Sequence, residues 1–398
     1  MINKISFKNF KIFNEEQELE LKPITILIGK NSSGKSALAK LPTLISESLN
    51  GKKESPFSWE NEGVTLGTNY SDLNYGKETT GLFKFIINND NGLFLSVDVQ
   101  FGKNALYISY WNYNDEFILK YDLLSKKYYL NSNNYKLLDC SFSGFELAKI
   151  NNSNLDLPNL NDFKFDFDYI SSYRIQPNEI DEDLPKERNI KKIGVKGKFA
   201  YEILINDLLY SEGKLLKNVS DWYKTAFEGW GINIDNDTTR SKFYFELIRE
   251  QPTLFKTNLE NVGQGISQTL PLITKSFIVE EKPSLTIIEE PELHLHPSAH
   301  GDLAERFAES LEDKNKRYLI ETHSENFILR LRRLIAQKKF DYFTNNEINI
   351  YFVKYNHTLN ESTLEKVNVK SDGNVENWPK GIFSESLDEI LAMKNTKN

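Results

Sequence analysis

The chain has 398 residues, of which 39% are hydrophobic and 13% aromatic, which is enough for a large buried core in two or three lobes. Its 49 basic and 57 acidic residues give a net charge of −8, which argues against a broad nucleic-acid-coating surface but not against a local basic patch. The single cysteine, Cys140, excludes an internal disulfide and a cysteine-based metal site, and its apolar neighbours predict a small buried side chain.

The N-terminal part of the sequence predicts two strands around a turn, followed by a glycine-rich loop. Residues 2–28 hold both strands, and the first carries apolar residues such as Ile5 and Phe7. The second strand is the apolar run 24–28, and a run without alternation is typical of a strand buried on both faces. The loop follows at once, and we expect a helix to begin near Ala37.

The middle of the chain changes character three times. Residues 51–80 are polar and show no clear period, whereas residues 82–138 contain short aromatic and aliphatic segments broken by turn residues. This spacing predicts an antiparallel meander. A further strand is expected at 167–170, and residues 198–228 repeat apolar side chains at helical intervals, with an interruption at Gly213.

The last part of the chain alternates predicted helices and strands. In chain order we expect a glycine-rich turn (261–265), a helix through Ile278, a strand (285–288), a helix (298–312), a strand (318–320), a helix from near Glu325, a hairpin (348–369) and a short amphipathic segment near 384–393.

The glycine-rich loop has the pattern G-x-x-x-x-G-K-S between a strand and a helix, which is the context that a phosphate-binding P-loop requires. Its glycines let backbone N–H groups turn onto phosphate oxygens, and the helix N-terminus adds a favourable dipole. We expect Lys35 to reach the β- and γ-phosphates and Ser36 to bind Mg²⁺. A chance match in a turn is the alternative. The predicted nucleotide-binding residues of the loop are Gly29, Asn31, Ser32, Ser33, Gly34, Lys35, Ser36 and Ala37.

Two adjacent carboxylates, Glu289 and Glu290, follow the apolar strand 285–288. Carboxylates next to a buried strand are costly unless a charged partner lies there. With a P-loop in the same chain, we expect Glu289 to hold the Mg²⁺ shell and Glu290 to orient or deprotonate the attacking water. On its own, the pair would be read as a strand that exits to solvent.

Two weaker signals accompany these motifs. His323 follows the strand 318–320 in a position to sense a γ-phosphate, although a lone histidine is usually structural or exposed. Gly263, Gly265 and Ser267 open a predicted helix and form a second anion-receptive turn. Such turns are common, so this signal is weak by itself.

Two other clusters have ordinary structural explanations that we favour. His294, His296 and His300 could suggest zinc, but no cysteine pair matches them, and a structural turn is the preferred interpretation. A basic run on the last predicted helix has an apolar stripe, so a solvated face is preferred to nucleic-acid contact. Its members are Arg330, Arg332, Arg333, Lys338 and Lys339.

With these residues assembled, the chain resembles the ABC-type ATPases of the SMC/RecF and OLD (overcoming lysogenization defect) group. It is most similar to stand-alone bacterial members linked to phage defence. The segments that carry the resemblance are ILIGKNSSGKSAL, NVGQGISQTLPLI, LTIIEEPELHLHP and IETHSENFILRLRR, and NVENWPKGIFSESLDEIL is similar to the tail of one branch.

The resemblance implies an α/β fold, an ABC-ATPase head with a P-loop core sheet, an antiparallel β-rich subdomain and a helical lobe. It divides the chain into an N-terminal ATPase lobe with the P-loop and β-meander (1–165), a helical and Q-loop-like region (166–257), a lobe with the signature, Walker B and switch histidine (258–340) and a small C-terminal tail region (341–398).

The resemblance also implies site roles. The turn with Gly263, Gly265 and Ser267 would be the signature, offered to the γ-phosphate of ATP on a second copy. Residues 293–297 would cross the dimer interface, and His323 would be the switch histidine. Gln176, at the Q-loop position, would contact Mg²⁺ or phosphate, and Arg174 is the alternative.

Three departures narrow the function. The signature is not LSGGQ, which argues against a transport subunit, and Glu289 stands where transporters have aspartate. About 75 residues follow His323 in this sequence, without a D-x-D, so we expect no TOPRIM domain and no intrinsic nuclease. The first ten residues lack the apolar run of a signal peptide, and no stretch reaches the ~20 apolar residues of a membrane span, which predicts a cytoplasmic protein without membrane contact.

We therefore expect an ATP- and Mg²⁺-dependent ATPase that forms a homodimer or higher oligomer. The resemblance favours a switch or sensor in anti-phage defence that controls a separately encoded effector, such as a nuclease. The alternative is a RecF-like DNA-repair ATPase with nucleic acid as a partner, which predicts steeply salt-dependent DNA affinity. A nucleotide-gated scaffold that hardly hydrolyses ATP is a third hypothesis.

Overall fold

The computed structural model describes residues 1–77, 81–102, 105–130, 136–151, 155–175, 190–237, 242–379, 381–383 and 392–393. Two predictions fall outside these ranges. They are the role of Gln176 and most of the amphipathic segment near 384–393.

The helices lie at the positions that the sequence predicts, and they are α1 (Lys35–Leu49), α2 (Phe199–Tyr210), α3 (Lys214–Ala226), α4 (Gln264–Phe277), α5 (Pro297–Ser310) and α6 (Glu325–Ala336). The strands of the N-terminal part are β1 (Ile2–Lys8), β2 (Gln17–Glu20), β3 (Ile24–Ile28), β4 (Glu60–Asn61), β5 (Val64–Thr65), β6 (Leu82–Asn89), β7 (Phe94–Phe101), β8 (Leu106–Tyr113), β9 (Phe117–Asp122), β10 (Lys127–Leu130), β11 (Lys136–Leu138), β12 (Cys140–Ser143) and β13 (Glu146–Ile150). The remaining strands are β14 (Asp166–Ile170), β15 (Gly231–Asp237), β16 (Lys242–Arg249), β17 (Phe255–Asn258), β18 (Ser284–Glu289), β19 (Lys316–Glu321), β20 (Ile348–Asn356), β21 (Glu361–Val369) and β22 (Val375–Glu376). The predicted α/β class is confirmed.

The chain divides into two compact units. The first unit comprises Met1–Phe167, Asn349–Asn368 and Asn377–Asn398, and the second comprises Asp168–Ile348 and Val369–Glu376. The four-part division expected from the sequence stays a prediction.

The first unit contains an antiparallel sheet in the order β11-β10-β9-β8-β7-β6-β1-β2, which confirms the predicted meander. Buried and half-buried residues alternate along β6, as expected for a strand with one face on the core. Phe57 is at the centre of an aromatic cluster, with its ring 5.4 to 6.0 Å from those of Phe83, Phe85 and Phe145. This cluster fixes the sheet by apolar packing.

Strand β3 is buried at every position, as its unbroken apolar sequence predicts, and it neighbours β20. Strands β20 and β21 pair antiparallel, with Ile350 opposite Val367, which confirms the predicted hairpin. We call these two strands the C-terminal hairpin. Its place beside β3 brings the C-terminal hairpin close to the loop that follows β3.

In the second unit, β14, β18 and β19 are neighbours in that order, and β18 and β19 are parallel. Their register places Glu289 opposite Glu321. Both strands therefore end at the same edge, where parallel strands commonly present functional side chains. The predicted interruption of the helical region is confirmed, because α2 and α3 are separated at Gly213, which has a φ of +67°.

The antiparallel strands β15, β16 and β17 of the second unit were not predicted. A period-two signal was present, because the buried residues Ile232 and Ile234 alternate with polar ones.

The prediction for Cys140 is wrong in part, since its thiol is half-buried on β12, and this burial raises its pKa to about 12. Within the described ranges, no helix is long and apolar enough to cross a membrane.

Candidate functional site

The P-loop connects β3 to α1 in the first unit. Gly29 and Gly34 have φ values of +153° and +100°, which favour glycine, and α1 begins directly at Lys35. The Lys35 ammonium is buried and donates to the carbonyl oxygens of Gly29 and Lys30, each at 3.0 Å. An ammonium enclosed by its own loop is placed to meet an anion that enters that loop.

Two distant segments form the walls of the P-loop. A Cβ at Gly29 would lie 2.5 Å from the carbonyl oxygen of Val353 on the C-terminal hairpin, and one at Gly34 would lie 2.7 Å from the side chain of Ile12. The Ser362 hydroxyl, also on the hairpin, donates to the carbonyl oxygen of Ser33 at 2.7 Å. The loop is therefore bounded by a backbone carbonyl and a hydroxyl of the C-terminal hairpin and by the apolar side chain of Ile12.

The side chains of the P-loop fall into two groups. Asn31, Ser32 and Ser36 are exposed, so their side chains are open to a nucleotide. Ser33 is buried, and its hydroxyl has no hydrogen-bond partner among the described residues. A buried hydroxyl without a partner costs free energy, which a ligand oxygen in the loop would offset.

Glu289 and Glu290 end β18 in the second unit. The Glu289 carboxylate accepts a hydrogen bond from the Tyr169 hydroxyl on β14 and another from the backbone N–H of Ser172 at 3.4 Å. Burial and the adjacent Glu289 hold the pKa of Tyr169 well above its ordinary value, so this hydroxyl stays protonated and remains a donor. Each Glu289 oxygen keeps lone pairs for a water of a hydrated Mg²⁺ ion, so the residue fits its predicted metal role.

Glu290 lies with Glu321 and His323, and the ligand atoms of the three side chains are all within 4.8 Å of one another. Glu290 and His323 are predicted site residues, whereas Glu321, which is buried at the end of β19, is not. A sequence signal was present, because Glu321 ends its apolar strand as Glu289 ends β18. The cluster combines a carboxylate base, a second carboxylate and an exposed imidazole, which suits proton transfer or the positioning of a water.

Buried charged residues lie behind this cluster. The Glu292 carboxylate accepts the backbone N–H of His323 at 2.6 Å, and burial raises the pKa of Glu292. The Arg174 guanidinium donates to the carbonyl oxygens of Glu289 and Glu290 at 3.3 and 3.2 Å. We call Glu289, Glu290 and Pro291 the acidic turn. Arg174 is therefore directed at the backbone of the acidic turn, and not at a phosphate.

The turn before α4 presents only part of its predicted set. Gly263 is exposed, and a Cβ there would meet nothing within 4 Å. Gly265 is buried, and its Cβ would lie 2.2 Å from the carbonyl oxygen of His294 in the same chain. Ser267 is fully buried and donates to the carbonyl oxygen of Gln264 at 3.1 Å. The exposed tip of the turn consists of Gly263 and Gln264.

The histidines after Glu290 have local partners. His296 caps α5 by accepting the backbone N–H of Ser298, and His300 contacts the Ser324 hydroxyl at 2.7 Å. These contacts support the structural interpretation. Arg330, from the basic run on α6, is half-buried and pairs with Asp302 and Glu305 on α5 at 3.0 and 2.6 Å, so the predicted solvated face is wrong for this residue.

The comparison with protein families identifies two regions. A family model described as an AAA ATPase domain (AAA_15) matches residues 1–328, and a second, described as a protein of unknown function (DUF3696), matches residues 344–393. No curated protein is significantly similar to the chain.

Three solved structures of SMC heads are similar to the chain at low identity. The SMC head domain from Thermotoga maritima has 12% identity and a TM-score of 0.42, covering 92% of this chain and 99% of its own. An SmcHead bound to the C-winged helix domain of ScpA has 13% identity and a TM-score of 0.44, covering 92% and 98%. An Smc head domain from Pyrococcus furiosus, with an extended coiled coil and bound to the C-terminal domain of ScpA, has 13% identity and a TM-score of 0.46, covering 99% of each chain.

Proposed function

The chain belongs to the AAA ATPase domain family and is thus an ATPase, and on that premise we propose a nucleotide-driven dimeric switch. The observation that carries the proposal is the P-loop itself, in which a buried Lys35 ammonium is enclosed by the loop carbonyls. A loop that holds a buried ammonium beside its backbone N–H groups can bind the negative charge of a polyphosphate.

The proposed roles follow the chemistry of each side chain. Lys35 binds the β- and γ-phosphates, and the hydroxyls of Ser33 and Ser36 contact phosphate and Mg²⁺ respectively. Mg²⁺, when bound, neutralises charge on the phosphates. Glu289 supports its water shell through the carboxylate that Tyr169 and Ser172 orient.

Glu290 is proposed to orient or deprotonate the attacking water. Its carboxylate lies within 4.8 Å of the carboxylate of Glu321 and the imidazole of His323. Both of these groups can form hydrogen bonds with that water. Glu321 places a second carboxylate beside Glu290, and His323 offers an exposed imidazole.

Closure between two copies is the proposed switch. The exposed tip of the turn, Gly263 and Gln264, offers backbone N–H groups at a helix N-terminus to ATP bound by another copy. The family resemblance supports a role in anti-phage defence, in which the closed dimer controls a separately encoded effector such as a nuclease.

The enzymatic part is tested by phosphate release and by the molar mass of the protein with and without ATP. Wild type should hydrolyse ATP, whereas Glu290→Gln should bind ATP, lose about 100-fold or more in kcat and remain dimeric. Lys35→Ala should lose ATP binding. Glu312→Gln, an exposed glutamate of the same unit, is the matched control and should resemble wild type.

The regulatory part is tested by purifying natively expressed wild type and Glu290→Gln and identifying co-purifying proteins. An effector retained by the ATP-trapped variant and released by wild type supports the switch. ATP-dependent DNA affinity that falls steeply with salt would favour the RecF-like alternative. A wild type with neither hydrolysis nor ATP-linked assembly would contradict the proposal.

A further inference from the structure

The guanidinium of Arg174 is buried and donates to the backbone of the acidic turn. We propose that Arg174 is a positioning residue that fixes the direction of the Glu290 carboxylate. The inference deepens the proposed function and depends on it, because Glu290 matters only if the chain hydrolyses ATP. Arg174 does not touch the nucleotide in this proposal but acts through the backbone of the turn.

The geometry of the guanidinium carries the first step. Its Nη1 donates to the carbonyl oxygens of Ser171 and Glu289 at 3.2 and 3.3 Å, and its Nη2 donates to that of Glu290 at 3.2 Å. Two nitrogens held in one rigid plane thus span two consecutive carbonyls of the turn and the end of β14. A lysine ammonium is a single point and cannot make this bridge.

The turn needs such a bridge because its backbone is unusual. Glu290 has a φ of +42°, in the left-handed region that residues with a Cβ avoid. Pro291 follows, and a residue before proline is normally extended, so the conformation at Glu290 is disfavoured for a second reason. The N–H of Glu290 donates to the carbonyl oxygen of Glu321 at 2.8 Å, which anchors one side of the residue. Arg174 holds the carbonyl on the other side.

The strained conformation has a functional result. It directs the Glu290 side chain to the carboxylate of Glu321 and the imidazole of His323, where all ligand atoms lie within 4.8 Å. A relaxed, extended Glu290 would change the direction of its Cα–Cβ bond. Strained residues that surrounding contacts hold in place are concentrated at active sites.

The electrostatic surroundings explain why a charged side chain can lie here. Arg174 is 1% exposed, and this burial lowers its pKa to about 10, while Glu292, Glu290 and Glu289 favour its charged form. The guanidinium therefore stays protonated at neutral pH and keeps all its donors. Glu292 is the buried counter-charge, and the same residue fixes the backbone of His323.

The test compares Arg174→Lys with Arg306→Lys in the full chain. Arg306 is also largely buried in the second unit, where it lies 4.0 Å from the ring centre of Phe277 and pairs with Glu309. Arg174→Lys should keep the ATP Kd within about threefold but lower kcat by about 10- to 100-fold, because small misplacements of a catalytic group are costly. Arg306→Lys should lower the melting temperature but leave kcat within about twofold where the protein is folded.

A double-mutant cycle with Glu290→Gln separates positioning from general damage. If Arg174 acts through Glu290, adding Arg174→Lys to Glu290→Gln should reduce the residual kcat no further. An equal additional loss in that background, or an unchanged kcat in Arg174→Lys alone, would overturn the inference. Arg174→Gln, which keeps one N–H₂ donor, replaces Arg174→Lys in the cycle if the lysine variant does not fold.

The two proposals fail in different ways. If wild type hydrolyses ATP and Arg174→Lys does so equally well, only the role of Arg174 is wrong. If wild type does not hydrolyse ATP at all, the proposed function is wrong, and the role of Arg174 is overturned with it.

Discussion

The P-loop of the first unit and the acidic turn of the second unit both contain residues with positive φ values, but different contacts hold them. The P-loop is confined by backbone atoms and a hydroxyl, with Val353 against Gly29 and Ser362 on the carbonyl of Ser33. The acidic turn is held by buried charge, through the guanidinium of Arg174 and the carboxylate of Glu292.

The interiors of the two units show the same contrast. Aromatic rings around Phe57 pack the sheet of the first unit, whereas the second unit buries Lys275 between Asp168 and Glu280 at 3.3 and 2.7 Å. Burial lowers the pKa of Lys275, but the two carboxylates raise it above its ordinary value. The aromatic cluster around Phe57 should therefore respond mainly to changes in shape, and the surroundings of Lys275 mainly to changes in charge.

The largest effect is expected where shape matters most, at Gly29. In Gly29→Ala the new Cβ would lie 2.5 Å from the carbonyl oxygen of Val353 and 2.9 Å from the Ser33 hydroxyl, at a φ of +153°. We expect ATP affinity to fall by more than about 100-fold, or about 3 kcal/mol, in equilibrium titration. Gly92→Ala, in a turn of the same unit with a φ of +80° and nothing within 4 Å, is the control for backbone strain alone. Equal ATP affinity in the two variants would refute the steric account.

A steric requirement is also expected in the second unit, at Gly265. In Gly265→Ala the Cβ would lie 2.2 Å from the carbonyl oxygen of His294, a backbone atom that cannot easily move. We expect a loss of about 3 kcal/mol in unfolding free energy, despite alanine's preference for helices. Gly263→Ala, two residues earlier with nothing within 4 Å, should change stability by less than about 1 kcal/mol in the same denaturant titration.

These differences explain what the sequence could predict. Strands β3 and β18 and the P-loop were predictable because their signals lie in continuous segments of sequence. An apolar run is followed by the glycine-rich loop in one case and by two carboxylates in the other. The partners of those segments were not. Ser362 lies 329 positions from Ser33 along the chain, and Arg174 lies 116 positions from Glu290. Nothing local in the sequence indicates such pairings.

Two site residues, Ser267 and Glu321, show that local sequence patterns do not determine which way a side chain points. Ser267 was chosen because it opens a helix after two glycines, but the helix turns it into the core, where it is fully buried. Glu321 was not predicted, because only its register opposite Glu289 in the folded sheet places it beside Glu290. Side-chain direction depends on tertiary packing, which periodicity alone does not supply.

A smaller effect is expected from pH, which should change the unfolding free energy through the buried Lys316 of the second unit. Lys316 is buried and donates to the carbonyl oxygen of Ser276 at 2.7 Å, and burial lowers its pKa from 10.5 to about 8. Between these values the unfolded chain holds a proton that the folded chain has released, so the unfolding free energy should rise with pH from about 8 to 10.5. The gain attributable to Lys316 should be between about 1 and 3 kcal/mol.

Lys316→Met measures that gain, because it keeps the length of the side chain without the charge. Denaturant titrations of both proteins at several pH values give the difference in unfolding free energy. This difference should favour the variant below pH 8 and shrink as the pH rises. A difference independent of pH would show that Lys316 releases its proton at the same pH in the folded and unfolded chains.

The smallest effect is expected at Ser362, where a single hydrogen bond joins the C-terminal hairpin to the P-loop. Ser362→Ala removes the donor to the carbonyl oxygen of Ser33 and leaves the hairpin pairing intact. A bond of this kind contributes about 1 kcal/mol, so we expect ATP affinity to weaken by about fivefold, with a small fall in melting temperature. Thr358→Ala, at the exposed end of the same hairpin, is the control and should bind ATP as wild type does. An unchanged affinity in Ser362→Ala would mean that backbone contacts alone, such as that between Gly29 and Val353, shape the loop.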